Sequence, residues 1–297
     1  MILRANCKTP RPSKIALLRP FASSLLNQPA RGWPRREDCG SKAAICKWPQ
    51  NHRFFWRREF CNWLLRFCFF FAASVLLGYG ELETGWQYYS QSGQDRYANE
   101  TFFHDKKGGV FVDIGAYDGI HISNTYFFEE ELGWTGICIE PIPEIFEKLV
   151  ANRRCACVQG CISDEAGEKP FLRVSGYPEM LSGLTEKYDP AHLVRIQEDI
   201  LRYGGACEEM TVPCFSFNEL MEKHGLLHID FLSVDTEGGE FDILSSIDYE
   251  KYSIDVITVE DNYGDPRFVP FLESKGYRLD SLHPPDLFFV KCDASCL

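Results

Sequence analysis

Val110-Phe111-Val112-Asp113-Ile114-Gly115-Ala116-Tyr117-Asp118-Gly119 is the stretch that decides the fold: a short apolar run closed by an acid, then two glycines set around a turn. A run so continuously apolar suits a strand covered on both faces, and hence a parallel sheet rather than a half-wet antiparallel one. Gly115 permits a tight turn and a close approach of backbone to a ligand. In a dinucleotide-binding turn a second glycine, two residues on, makes room for pyrophosphate at a helix N-terminus. Tyr117 stands there instead. The D-x-G-x-x-x-G spacing of Asp113, Gly115 and Gly119 therefore suits a cofactor without phosphate. In this reading Asp113 faces an ammonium group and loop amides receive a carboxylate.

Outward from that turn, short apolar runs alternate with amphipathic stretches, the sign of β-α-β units. Residues 110–114, 136–140, 155–159, 231–235 and 256–260 read as strands of a parallel sheet. Residues 125–132, 143–152, 241–247 and 268–276 read as the helices between them, the last stopped by Gly276. Residues 277–282 and 286–291, separated by His283-Pro284-Pro285, read as a closing antiparallel hairpin. Between the third and fourth parallel strands lies an insertion over 164–227, with strands near 170–174 and 210–214 and a helix over 191–203. Insertions of this kind often cap a site. The expected architecture is a Rossmann-like α/β domain over 87–293.

The net charge of −12 is unevenly distributed, since residues 1–66 carry 14 Lys and Arg against 3 Asp and Glu, leaving 17 against 40 for the remainder. A domain that acidic lacks the basic stripe that nucleic acid demands. Residues 1–60 have no apolar period and read as a basic, disordered or processed arm. Residues 63–79 (WLLRFCFFFAASVLLGY) are apolar apart from Arg66, with Arg53, Arg57 and Arg58 before them and Glu81 and Glu83 after. That polarity predicts a signal anchor within 61–80, attaching a single-pass protein to a membrane with its domain lumenal; an organelle-targeting peptide or a helix packed on a cytoplasmic domain are the alternatives. The sequon Asn99-Glu100-Thr101 is compatible with lumenal exposure. Thirteen cysteines contain no C-x-x-C pair, which argues against zinc. In an oxidising lumen Cys207 with Cys214, or Cys292 with Cys296, are candidate pairs.

Chemistry-bearing residues gather at the carboxyl ends of the predicted strands, where ligands of open α/β sheets bind. Glu140 is placed to accept both hydroxyl protons of a ribose. Gly160-Cys161-Ile162-Ser163-Asp164 offers backbone amides and a polar side chain to a purine, although a plain turn explains it nearly as well. Asp235, Glu237, Glu260, Asp261 and Asn262 converge on one edge. Such a cluster serves either as a general base for a substrate hydroxyl, with Asp235 first and Glu237 and Glu260 behind it, or as a magnesium site on Asp235, Asp261 and Asn262. Helix capping by Asp235 or Thr236 is the structural alternative. His121 is a candidate proton shuttle or cap, His283 lies in the hairpin, and 177–184 is a candidate lid.

From residue 89 to residue 293 the chain resembles FkbM-type methyltransferases, through Ser90-Gln91-Ser92-Gly93-Gln94-Asp95, Val112-Asp113-Ile114-Gly115, Ile139-Glu140-Pro141 and the FLSVDTEGGE run of 231–240. The resemblance implies a class I methyltransferase fold, S-adenosylmethionine as donor, and O-methylation of hydroxyls on sugars or other polyhydroxylated small molecules or glycans. It makes Asp113, Gly115 and Glu140 cofactor positions, with Tyr117, Gly119, Pro141, Cys161 and Ile162 around them, and it sets Ser90, Gln91 and Gln94 against the same pocket. The rival reading is a membrane-anchored binding or trafficking module that keeps the fold without catalysis.

Overall fold

The computed structural model describes residues 85–292. The arm over 1–60, the apolar segment over 61–80 and Cys296 lie outside them.

In chain order the elements are α1 (Gln94–Ala98), a π-helical turn (Asn99–Phe103), β1 (Val110–Ile114), α2 (Tyr126–Leu132), β2 (Thr135–Glu140), α3 (Pro143–Asn152), β3 (Ala156–Gln159) and β4 (Cys161–Ile162). There follow β5 (Gly167–Gly176), β6 (Gly183–Leu184), α4 (Pro190–Tyr203), β7 (Gly205–Phe215) and α5 (Phe217–His224). The chain ends with β8 (His228–Val234), α6 (Glu240–Ser246), β9 (Ser253–Glu260), α7 (Phe268–Ser274), β10 (Tyr277–His283) and β11 (Asp286–Lys291). The main sheet runs β10-β11-β9-β8-β1-β2-β3. Its first five strands by sequence, β1, β2, β3, β8 and β9, are parallel, and β11 returns antiparallel to β9. This is the Rossmann-like fold with a closing hairpin.

Both faces of the sheet are covered, which is why its strands are apolar at consecutive positions. Val112, Ile139 and Leu232 pack on one face with Phe217, Leu244 and Leu272 from α5, α6 and α7. Phe111, Phe231 and Phe288 pack on the other with Ala98, Phe128 and Leu149 from α1, α2 and α3. Helix ends follow local chemistry. Pro143 occupies the first turn of α3, and α2 stops at Gly133 in the left-handed region at φ 66°.

The insertion starts earlier than its polar composition indicates, because β4 already belongs to a second sheet of order β4-β7-β5-β6. It ends earlier too, since α5 packs into the core of the main sheet as the crossover to β8. The second sheet lays Phe171, Leu184 and Val212 against Ile142 and Ile145 of the β2–α3 region. The α1 and π-helical segment, unread in the sequence, fastens the chain before β1. Asp95 accepts the Tyr89 and Ser90 amides at 2.6 and 3.2 Å, and Ser90 bridges to Ile122 beyond the glycine turn.

Three expectations are corrected. No helix among the described residues is long and apolar enough to cross a membrane. The single-pass reading is corrected accordingly; the segment that prompted it, 61–80, lies outside the described residues. Asn99 of the sequon is 2% exposed, with its amide group tied to Tyr88 and Asp105, so a glycan has no access to it. Cys207 and Cys214 lie seven residues apart in the single strand β7, a separation of roughly 23 Å where a disulfide requires less than about 7 Å. All described cysteines are free thiols.

The tightest point of the fold is the contact of the β1 turn with the end of β8. Asp235 N–H donates to the Ile114 carbonyl at 2.9 Å. Gly115 has φ 91°, and a Cβ there would stand 1.7 Å from the Asp235 carbonyl oxygen. A Gly115→Ala substitution should therefore cost about 3 kcal/mol or more in urea unfolding. Gly108→Ala, also at positive φ but facing open space, should cost about 1 kcal/mol. Equal losses would show that the Asp235 contact carries no strain.

Candidate active site

Strand order reverses between β1 and β8: β2 and β3 lie to one side, β9 to the other. Such a switch point opens a crevice beyond the strand ends. Here it is a cleft of about 1000 Å³ including its open mouth, floored by the two strand-end turns and roofed by Phe171, Glu179, Met180 and Leu184 of the insertion. The insertion thus lines the cleft.

One half of the cleft is built on the glycine turn. Asp113 is buried and accepts the Thr125 hydroxyl at 2.6 Å. Burial raises its pKa while the Arg153 guanidinium opposes that rise. Arg153, at the end of α3, is itself buried; it pairs with Glu129 at 2.5 Å and donates to the Gly119 carbonyl and Thr125 hydroxyl at 3.2 and 3.0 Å. Asp113 thus holds the turn in place as well as lining the cleft. Gly119 answers to packing rather than to a ligand, because a Cβ there would strike Arg153 and Leu149 at 2.7 Å. Tyr117 sits at φ 49° and donates its hydroxyl to Glu179 at 2.5 Å, joining the turn to the insertion.

Glu140 is 5% exposed and lines the same cleft, accepting the Ile142 amide at 2.8 Å. Among the described residues no cation faces it, and burial pushes its pKa up to about 8. Pro141, Cys161 and Ile162 line the wall beside it, as does His121, whose ring pairs with Asp118 at 2.5 Å. Gln91 and Gln94 are placed elsewhere. Gln91 is exposed, and Gln94 donates to Asp286 at the start of β11, so the 90–95 motif braces the fold and reaches the cleft only through the Ser90–Ile122 bridge.

The other half is acidic. Carboxylate oxygens of Asp235, Glu237 and Glu260 lie within 4.8 Å of one another. Asp235 and Glu237 line the cleft, while Glu260 faces an adjoining cavity that Glu237 shares. Burial and then the Glu260 charge hold Asp235 well above the usual carboxylate range. Glu237 is raised by burial and by Asp235, and burial with Glu237 pushes Glu260 to about 8. Neither Asp235 nor Thr236 caps α6, whose start has no side-chain cap; Glu240 instead accepts the Thr236 and Gly238 amides of the preceding loop, both at 2.9 Å.

The magnesium set of Asp235, Asp261 and Asn262 does not assemble. Asp261 accepts the Asp265 amide at 2.8 Å and so closes its own loop, and Asn262 donates to Glu237 at 3.3 Å. The residues that sequence reasoning missed are those whose role is tertiary. Arg153 reads as an ordinary cation at a helix end. His192 of α4 reads as one residue of an amphipathic helix, yet it is 1% exposed, lies 3.5 Å from Glu237, and accepts or donates with Tyr263 at 3.0 Å. Neither carries a local signal.

Similarity to known proteins points the same way. A family model described as the methyltransferase FkbM domain matches residues 113–279. "Methyltransferase 1" of Beauveria bassiana (strain ARSEF 2860) is 28% identical over 169 residues, 52% of this chain and 68% of that protein. Among solved structures, a methyltransferase FkbM from Methylobacillus flagellatus KT aligns at 12% identity and a TM-score of 0.38, over 65% of this chain and 47% of that one. A precorrin-6y C5,15-methyltransferase from Geobacter metallireducens GS-15 aligns at 14% identity and a TM-score of 0.30, over 62% of this chain and 79% of that one. The chain thus spans about half the length of the first of these structures. Since the family match covers more than half of this chain and takes in both strand-end turns and the insertion between them, the chain belongs to the FkbM methyltransferase family.

Proposed function

We propose that this domain transfers the methyl group of S-adenosylmethionine to a hydroxyl of a sugar or other polyhydroxylated small molecule or glycan. The observation that carries the reading is the pairing, in one cleft, of Glu140 without a cationic partner and a carboxyl cluster at the opposite end. The donor half fits a nucleoside and suits pyrophosphate poorly: no Lys or Arg lines it, and Tyr117 occupies the position that phosphate needs. Glu140 has acceptor capacity left for a ribose diol. When bound, S-adenosylmethionine supplies an electrophilic methyl on a positively charged sulfur.

The chain's own residues do the rest. Thr125, Arg153 and Asp113 fix the turn, and the insertion shields the cleft from water. Asp235 is placed to take the proton of an acceptor hydroxyl, with Glu237 and Glu260 behind it. Their mutual repulsion keeps protons on the cluster, and a positive charge beside it draws the pKa values back down. Alignment of the acceptor then accounts for most of the rate. The large acidic excess of the domain speaks against a nucleic-acid acceptor. A magnesium role has no support in the arrangement of Asp261 and Asn262.

Labelled donor incubated with the full chain and a glycan extract should yield a methyl group that survives mild alkali, as an ether does. Release as methanol would identify a carboxyl acceptor and overturn the O-methyl reading.

Hydroxyl donation favours ionised Glu140, so donor affinity should rise as pH increases toward about 8, by at most roughly tenfold per pH unit, and level off above. Proton release should accompany binding below that pH. In calorimetry across pH, Glu140→Gln should flatten the profile and weaken binding roughly ten- to hundredfold at high pH. A profile unchanged in this variant would remove Glu140 from the ribose.

Proton removal by the acid cluster should give kcat/KM a rising limb near pH 8, the range to which Glu260 is pushed. Because these acids titrate together, that limb belongs to the cluster rather than to one residue. Asp235→Asn should lower kcat/KM by about 10²-fold or more while donor binding stays near the parent value. Parent-like turnover would leave Asp235 out of the chemistry.

A further inference from the structure

Three thiols meet at the outer edge of the main sheet, below the glycine turn. Cys138 in β2 is the register partner of Cys157 in β3, and Cys155 precedes Cys157 by two residues, just ahead of the strand. The sulfurs of Cys138 and Cys155 stand 3.5 Å apart, and the Cys157 thiol is turned to the Cys155 carbonyl at 3.7 Å. Cys155 and Cys157 are half-buried while Cys138 is fully buried. Cys155 is therefore open to small solutes where Cys138 is not. The Cys138 sulfur within hydrogen-bond reach, the Cys157 thiol and the Arg153 guanidinium together draw the Cys155 thiol far below the ordinary range; burial drives Cys138 the other way. A low-pKa, accessible sulfur beside a protonated resolving thiol is the arrangement of an oxidation-sensitive pair.

We infer that Cys155 is an oxidation site at which a hydroperoxide forms a sulfenic acid and Cys138 then closes a disulfide. The Cys155 thiolate attacks one peroxide oxygen, the O–O bond breaks, and hydroxide or alkoxide leaves. The Cys138 sulfur displaces hydroxide from the sulfenic acid, giving the S–S bond and water. Two thiols lose two electrons and two protons in all, and the peroxide is reduced by two electrons. The sulfurs must close from 3.5 Å to about 2.05 Å, a movement open to β3 because it pairs on one side alone within its sheet. Arg153 links the pair to the donor turn through the Gly119 carbonyl and through Thr125, which holds Asp113. Oxidation should therefore weaken donor binding about tenfold, a consequence that rests on the donor-site reading above.

The reduced full chain, treated with a small excess of hydrogen peroxide, is digested without reduction and mapped by mass spectrometry. A cross-linked Cys138–Cys155 peptide, about 2 Da lighter than its two reduced parts, is expected, and dithiothreitol should reverse it. Cys138→Ala should instead trap a dimedone adduct at Cys155, with Cys138→Ser serving if the alanine variant does not fold. Absence of the cross-link, or Cys155 passing to sulfinic acid with Cys138 unchanged, overturns the proposal. A cross-link that leaves S-adenosylmethionine affinity within twofold overturns the coupling to the turn. No donor binding by the reduced chain would count against the donor reading and not against the oxidation site.

Discussion

Everything in this domain is arranged around the contact of two strand ends. Asp235 donates its amide to the Ile114 carbonyl, and the Asp235 carbonyl fills the space where any side chain at position 115 would begin. A glycine is required there by its neighbouring strand as much as by its positive φ. The contact fixes how deep the switch-point crevice runs and sets the Asp113 end of β1 beside the Asp235 end of β8. It also explains why the glycine and the acid, more than 100 residues apart, behave as one unit.

The two halves of the crevice treat their buried charge differently. Asp113 shares its burial with Arg153, Thr125 and Glu129, a network in which each polar group has a partner. Buried charges tolerate such a position when paired and hydrogen-bonded. Asp235, Glu237 and Glu260 lie chiefly against one another, with Asn262 and His192 reaching Glu237, and burial with like-charge repulsion holds protons on them. A rigid compensated half beside an uncompensated half suits a site in which one ligand is held and another is changed. His192, stacked on Tyr188 with ring centroids 4.9 Å apart, brings the insertion into contact with that second half.

The insertion also closes the first half. Tyr117 is bonded to Glu179, and Phe171 and Leu184 pack against Ile142 and Ile145 at the start of α3. A tyrosine in place of a glycine thus does two things: it denies space to a pyrophosphate, and it ties the roof to the floor. The N-terminal motif contributes at one remove, through Asp95 and the Ser90–Ile122 bridge.

The strands, the helices between them, the hairpin and the family are legible in the sequence because each is written locally, in apolar periodicity, strand-end acids and glycine turns. The strand-end residues Asp113, Gly115 and Glu140 belong to that class, since their positions follow from the strand that carries them. The errors share one cause. Proximity in sequence suggests the site for Gln94 and Asp261, whose side chains bond elsewhere, for Gly119, which answers to packing, and for Asn262, which reaches Glu237 rather than Asp235; the burial of Asn99 and the spacing of the β7 cysteines are not written locally either. Arg153 and His192 were invisible, because an arginine closing α3 and a histidine on α4 look like surface residues until packing buries them. The sequence alone determined which residue types stand at the strand ends, since backbone pattern is set by neighbours along the chain. Only the tertiary structure decided which of those side chains meet, because hydrogen bonds and burial join residues that the chain itself keeps far apart.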